Sequence, residues 1–210
     1  MSGRCGVVLY LANPSSPKVR DAMRQGLLGQ ICTPNEGRAP LPGVAWAADN
    51  GCFSKNYVGD TRWLAWLSAL PRAGCLFAVA PDVVADAAAT LARSRPWLSR
   101  IRALGVPAAF AAQDGAEQPG MVPWDEFDVL FIGGTTEWKL SPYAARLARE
   151  AKDRGLKVHM GRVNSGRRKT IADLFECNTV DGTFLAFGPD TNLPRLLTWM
   201  NQPTLFGGAA

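Results

Sequence analysis

Short, continuously apolar runs rich in β-branched and aromatic residues recur along the chain, each followed by a loop and then by residues at helical spacing. The runs occupy residues 7–12, 44–48, 75–80, 108–112, 129–132, 158–161, 179–180 and 184–187. They are apolar throughout instead of alternating with polar residues, the pattern of strands covered on both faces in a parallel sheet. Helical spacing covers 17–28, 61–70, 83–104, 142–154, 166–175 and 193–200. Pro96 is expected to divide the 83–104 stretch into two helices, and Gly155 to end the 142–154 helix. This β/α alternation fits either a (β/α)8 barrel or an open doubly wound sheet. The dinucleotide-binding version of the open sheet is disfavoured, because no G-x-G-x-x-G follows the first run.

Composition narrows the class. With 47% hydrophobic and 20% charged residues in a chain of 210, a folded domain is expected that needs neither disulfides nor a metal for stability. The domain is expected over 1–202, with a C-terminal tail over 203–210. The five cysteines (Cys5, Cys32, Cys52, Cys75, Cys177) include no C-x-x-C and have one histidine to join them, so no common zinc site can be assembled. That usage, with no N-terminal secretory pattern, points to a reducing cytoplasm, and no apolar run approaches the roughly 18 residues of a membrane helix. The net charge of +5 points to a polyanionic partner.

Polar residues end the apolar runs. The run at 44–48 leads into Asp49-Asn50-Gly51-Cys52-Phe53, that at 75–80 into Pro81-Asp82, and that at 108–112 into Gln113-Asp114. Gly133-Gly134-Thr135, Gly161-Arg162 and Asp181-Gly182 close the next three. Each has an ordinary reading: Asp49-Asn50-Gly51 and Asp181-Gly182 as turns, Asp82 as the N-cap of a helix beginning at Val83, and Gln113 as a loop residue. Together they sit where a barrel carries its chemistry. Paired carboxylates suit glycosidic chemistry, one acting at C1′ and the other handling the leaving group's proton. An Asp beside an amide and glycine backbone suits a purine edge. Phe53, Tyr57 and Trp138 are candidates to stack on a base, whereas Trp63 and Trp66, at i and i+3, read as helix packing. The basic run Arg167-Arg168-Lys169, with Arg162 upstream, opens a helix after the N-cap Ser165, where an anion would offset its repulsion with the helix dipole. His159, inside an apolar strand, reads as a packed or hydrogen-bonded core residue.

These motifs resemble, in order from about Asp49 to Asp181, those of the tRNA-guanine transglycosylase superfamily. The resemblance is closest to its short DNA-acting members, the 7-deazaguanine DNA transglycosylases of phages and bacterial modification clusters. Asp49-Asn50-Gly51-Cys52-Phe53 resembles the family's D-S-G-G-F segment, Val158-His159-Met160-Gly161 its H-x-x-G strand, and Asn178-Thr179-Val180-Asp181 its D-x-F-D segment. Cys52 and Asn178 depart from those patterns, and the C-terminal zinc module of tRNA-acting members has no counterpart.

The resemblance implies a minimal (β/α)8 TIM-like barrel without that module. It implies Asp181 as nucleophile and Asp49 as general acid/base, with Asp82, Gln113, Gly133, Gly134, Phe53 and Met160 around the base. With Arg162, Arg167, Arg168 and Lys169 on the nucleic-acid backbone, the implied reaction replaces guanine in DNA by a free 7-deazaguanine base through a covalent Asp–deoxyribosyl intermediate. Such DNA would resist restriction. The nucleotide must be flipped out or single-stranded, and no cofactor or metal is called for. Hydrolysis at DNA or a nucleoside, exchange on tRNA, and nucleic-acid binding by a catalytically silent barrel stay open as alternatives.

Overall fold

The structure, a computed structural model, describes residues 8–37 and 39–202. Cys5, Val7 at the head of the first expected strand, and the expected tail over 203–210 lie outside the described residues. Eight parallel strands close into a barrel in chain order: β1 (Leu9–Ala12), β2 (Gly29–Cys32), β3 (Trp46–Ala48), β4 (Cys75–Val79), β5 (Ala108–Ala112), β6 (Val129–Ile132), β7 (Lys157–Met160) and β8 (Thr179–Asp181). The seam closes in register, Leu9 opposite Thr179 and Leu11 opposite Asp181. Around it lie α1 (Pro17–Arg24), α2 (Asp60–Ser68), α3 (Ala87–Ala103), α4 (Thr136–Lys139), α5 (Pro142–Asp153), α6 (Gly166–Leu174) and α7 (Pro189–Asn201). The connection after β2 is a 3-10 turn at Pro34–Glu36, and that after β5 carries no helix, which lets the barrel fit its short length.

The expected architecture holds with three corrections. β2 carries only Ile31 and Cys32 as clearly apolar residues, with Gly29 and a buried Gln30 between neighbours, so it lacks the signature of its siblings. The run at 184–187 is a turn instead of a strand, its Ala186 N–H bonded to Thr183 O. Pro96 does not divide α3, which runs unbroken. Both Pro96 and Ala92, whose carbonyl loses its intrahelical partner there, are exposed, so water can take that carbonyl. α3 begins at Ala87, with the Asp86 side chain accepting from Ala89 N, and Asp82 therefore caps no helix.

Strand parity decides what reaches the interior. Leu11, Ile31, Ala47, Phe77, Val79, Ala109, Ala111 and Val129 form the lumen cluster. Their strand neighbours Tyr10, Ala48, Ala78, Phe110, Leu130, Val158, Met160 and Val180 pack outward against the helices, in the same cluster as Trp63 of α2. Barrel interiors are usually filled by Val, Ile and Leu. Here the upper lumen is lined by Ala111 on β5, with Gly133 and Gly161 at the strand ends, and a cavity of about 800 Å³ opens at the carboxyl end.

Candidate active site

On seven of the eight strands the inward parity leads, at the carboxyl end, to Asn13, Thr33, Asp49, Gln113, Gly133, Gly161 and Asp181, and each of these lines the cavity. Asp82, from the loop after β4, joins them, as do Phe53, Gly134 and Arg162. Of the residues expected around a base, Met160 is the exception. It lies one position off that parity and is buried in the outer layer, so it does not reach the cavity.

Asp49 ends β3 and folds back on its own loop. Its Oδ1 accepts from Gly51 N at 2.7 Å, a turn that Gly51 permits by adopting φ +74°, and its carbonyl accepts from Trp63 Nε1. Burial and then the nearby Asp181 charge push its carboxyl up to about 7, against the pull of the Gly51 N–H. Asp181, at the end of β8, is driven the other way. Burial alone would raise it, but the His159 hydrogen bond, the Arg162 N–H and the Lys139 charge together hold it below the usual carboxylate range. His159 Nε2 lies 3.1 Å from Asp181 Oδ2, and Arg162 N donates to Oδ1 at 2.9 Å. His159 is thus buried, as expected of a core residue, with its ring against Phe77 and Phe131 and its Nε2 on the carboxylate.

A second polar group lies at the ends of β4 to β6. Asp82 accepts from Asn50 Nδ2 at 2.7 Å and from Gln113 Nε2 at 2.5 Å, while burial raises its pKa overall. Gln113 Oε1 accepts from Ala85 N and Gly134 N. The glycine amides expected to contact a base carbonyl are therefore both engaged, Gly133 N on Ala112 O and Gly134 N on Gln113. Glycine at 133 leaves room for the Gln113 amide, since a Cβ there would come within 2.7 Å of its Nε2.

Of the aromatic candidates, Phe53 is 71% exposed at the cavity mouth, under the Arg162 guanidinium at 5.2 Å. Trp138 is instead buried, its indole N–H on Glu117 at 2.8 Å, and the Tyr57 hydroxyl donates to Asp60. Arg162 holds a left-handed φ of 59°, which costs a non-glycine residue roughly 1 kcal/mol, and its guanidinium also donates to Gly134 O. Arg167 is exposed at the start of α6, and Arg168 is half-buried with Nη1 on Arg162 O at 2.9 Å. Lys169 is a correction to the basic run. It is buried, with Nζ on Asp173 at 2.7 Å and on Gln202 O, so it has no reach to a phosphate.

One cavity residue carries no signal at a strand end. Lys139 closes the four-residue α4, reads in sequence as a surface lysine, and is nevertheless buried in the cavity wall. The described cysteines offer no thiolate, since burial pushes Cys32 and Cys75 up to about 12, Cys52 to about 11, and Cys177 upward as well. Among the described residues, no group of three or more His, Cys, Asp or Glu is placed to hold a metal ion, and no helix is long and apolar enough to cross a membrane.

A chain of the Amycolatopsis orientalis BexX/CysO complex is similar in structure, with a TM-score of 0.54 and 15% identity over 96% of this chain and 95% of that one. At that identity the likeness concerns the barrel alone. No protein-family model and no curated protein matches the sequence.

Proposed function

We propose that the protein is a base-exchange transglycosylase acting on DNA, replacing guanine by a 7-deazaguanine base. What carries this reading is a pair of carboxylates on one cavity in opposite surroundings: Asp49, buried near Asp181 and pushed up to about 7, and Asp181, held low by the His159 ring and the Arg162 N–H. Carboxylates so separated suit an acid and a nucleophile at a single glycosidic carbon.

In the first displacement, an Asp181 oxygen bonds to C1′ of a deoxyguanosine and the C1′–N9 bond breaks, its electron pair leaving with guanine as Asp49 gives up its proton to the base. In the second, the incoming base loses its N9 proton to Asp49, its nitrogen bonds to C1′, and Asp181 departs as carboxylate. Each cycle returns both groups to their starting states.

Asp82 faces the cavity as an acceptor suited to the N1–H and amino group of a guanine-type edge, held in place by Asn50 and Gln113. Phe53 offers an exposed ring for a displaced base, and Arg162 and Arg167 offer charge for the backbone. Incubating the protein with DNA and labelled 7-deazaguanine, including its 7-cyano form, tests the reading. Label in DNA supports it, whereas abasic sites without label point to a glycosidase.

A further inference from the structure

Lys139 is 1% exposed, yet its side chain lines the cavity. Its Nζ donates to the carbonyl of Gly161 at 2.6 Å. Gly161 stands beside Asp181, so closely that a Cβ there would lie 3.8 Å from Asp181 Oδ2. The amine is therefore held by a neutral acceptor at the level of the carboxylate expected to meet C1′. Burial first, then the neighbouring charges of Arg162 and Arg168, lower its pKa to about 7, against the opposite pull of Asp181 and Asp114. The amine thus loses its proton far more readily than that of an exposed lysine, which is unprotonated at neutral pH in fewer than about one molecule in a thousand. An amine so placed is suited to attack a carbonyl carbon.

We propose that Lys139 forms an imine with the C1′ aldehyde of a base-free deoxyribose, giving the cavity a second chemistry on abasic DNA. For its substrate, though not for the reactivity of the amine, this rests on the reading of the cavity as a DNA glycosidic site. The open-chain form of an abasic deoxyribose exposes C1′ as an aldehyde. The Nζ lone pair bonds to that carbon, the carbonyl π electrons move to oxygen, and a proton passes from nitrogen to oxygen to give a carbinolamine. Protonated by Asp49, the hydroxyl leaves as water and the nitrogen lone pair forms the C=N bond. The resulting iminium faces the Asp181 carboxylate. No oxidant or further co-reactant enters the step.

The test incubates the full-length protein with an oligonucleotide containing one abasic site in the presence of sodium cyanoborohydride, which reduces an iminium to a stable secondary amine. The expected result is a denaturant-stable protein–DNA adduct that peptide mass mapping places on Lys139. Lys139→Arg, which keeps the charge but lacks the nucleophile, should lower its yield at least 100-fold. Mapping on the unaltered protein needs no variant, so a folding defect in Lys139→Arg leaves the test intact. Absence of an adduct, or an adduct on another residue, overturns the inference. Base exchange is assayed on the same preparation: exchange without an adduct overturns this inference alone, and an adduct without exchange supports it while contradicting the transglycosylase reading.

Discussion

His159 and Asp181 meet across the pairing of β7 with β8, Nε2 of the one lying 3.1 Å from Oδ2 of the other. An ionised carboxylate only accepts, so Nε2 carries the proton, and Thr179 Oγ1, 2.8 Å from Nδ1, fixes the other side of the ring. Arg162 N occupies the second carboxylate oxygen. A buried anion is stable only with such partners.

Replacing His159 by Phe keeps a ring beside Phe77 and Phe131 and removes the N–H. The Asp181 pKa should then rise, moving the acid limb of the exchange pH profile up by about one unit or more and lowering kcat/KM roughly 10- to 100-fold. Thr179→Val should shift the limb in the same direction by less. An acid limb that stays in place in His159→Phe would show that the histidine is packing alone.

Asp49 donates only while protonated, so exchange should decline as pH rises through about 7, and Asp49→Asn should abolish that limb with a loss of about 10²- to 10⁴-fold. Stability follows from the same shift. The folded pKa lies above the unfolded value of 3.8, so the folded state holds its proton more tightly. Its contribution is whole below pH 3.8 and is lost as pH rises through about 7. Asp49→Asn should therefore melt like the parent near pH 4 and be more stable at pH 8, by up to about 4 kcal/mol. Equal melting curves at pH 8 would place the Asp49 pKa in the ordinary range.

Arg167→Ala should weaken DNA binding and reduce the slope of log K against log salt by about 0.7 to 0.9, the loss of one phosphate contact. Lys169→Met, altering a side chain already committed to Asp173, should leave the slope unchanged. A slope that responds to position 169 and not 167 would reverse this assignment.

Ala111 faces the cavity from β5. Ala111→Leu adds three carbons into empty space, so the melting temperature should hold or rise while the KM for the incoming base increases at least 10-fold. An unchanged KM would place the base elsewhere.

The barrel was legible because most of its strands are short apolar runs closed by polar residues. β2 carries no such signature, since Gln30 and Gly29 interrupt its apolar residues although all four of its positions are buried. For the site, strand parity carries most of the information. Counting by twos from Thr179 to Asp181, and from His159 to Gly161, separates inward positions from Met160, a distinction already available in the sequence. Lys139 and Lys169 were not legible. Lys139 sits on a four-residue helix too short to show a period and Lys169 within a run of cations, and only the folded chain turns one into the cavity and the other onto Asp173.

The covalent role proposed for Asp181 is tested most directly by mass spectrometry of the nucleosides from DNA incubated with the protein and an isotopically labelled 7-deazaguanine base. Labelled 7-deazadeoxyguanosine should appear with an equal amount of released guanine, and Asp181→Asn should abolish both while DNA binding persists. Release of guanine without incorporation, or exchange that survives in Asp181→Asn, would contradict the account.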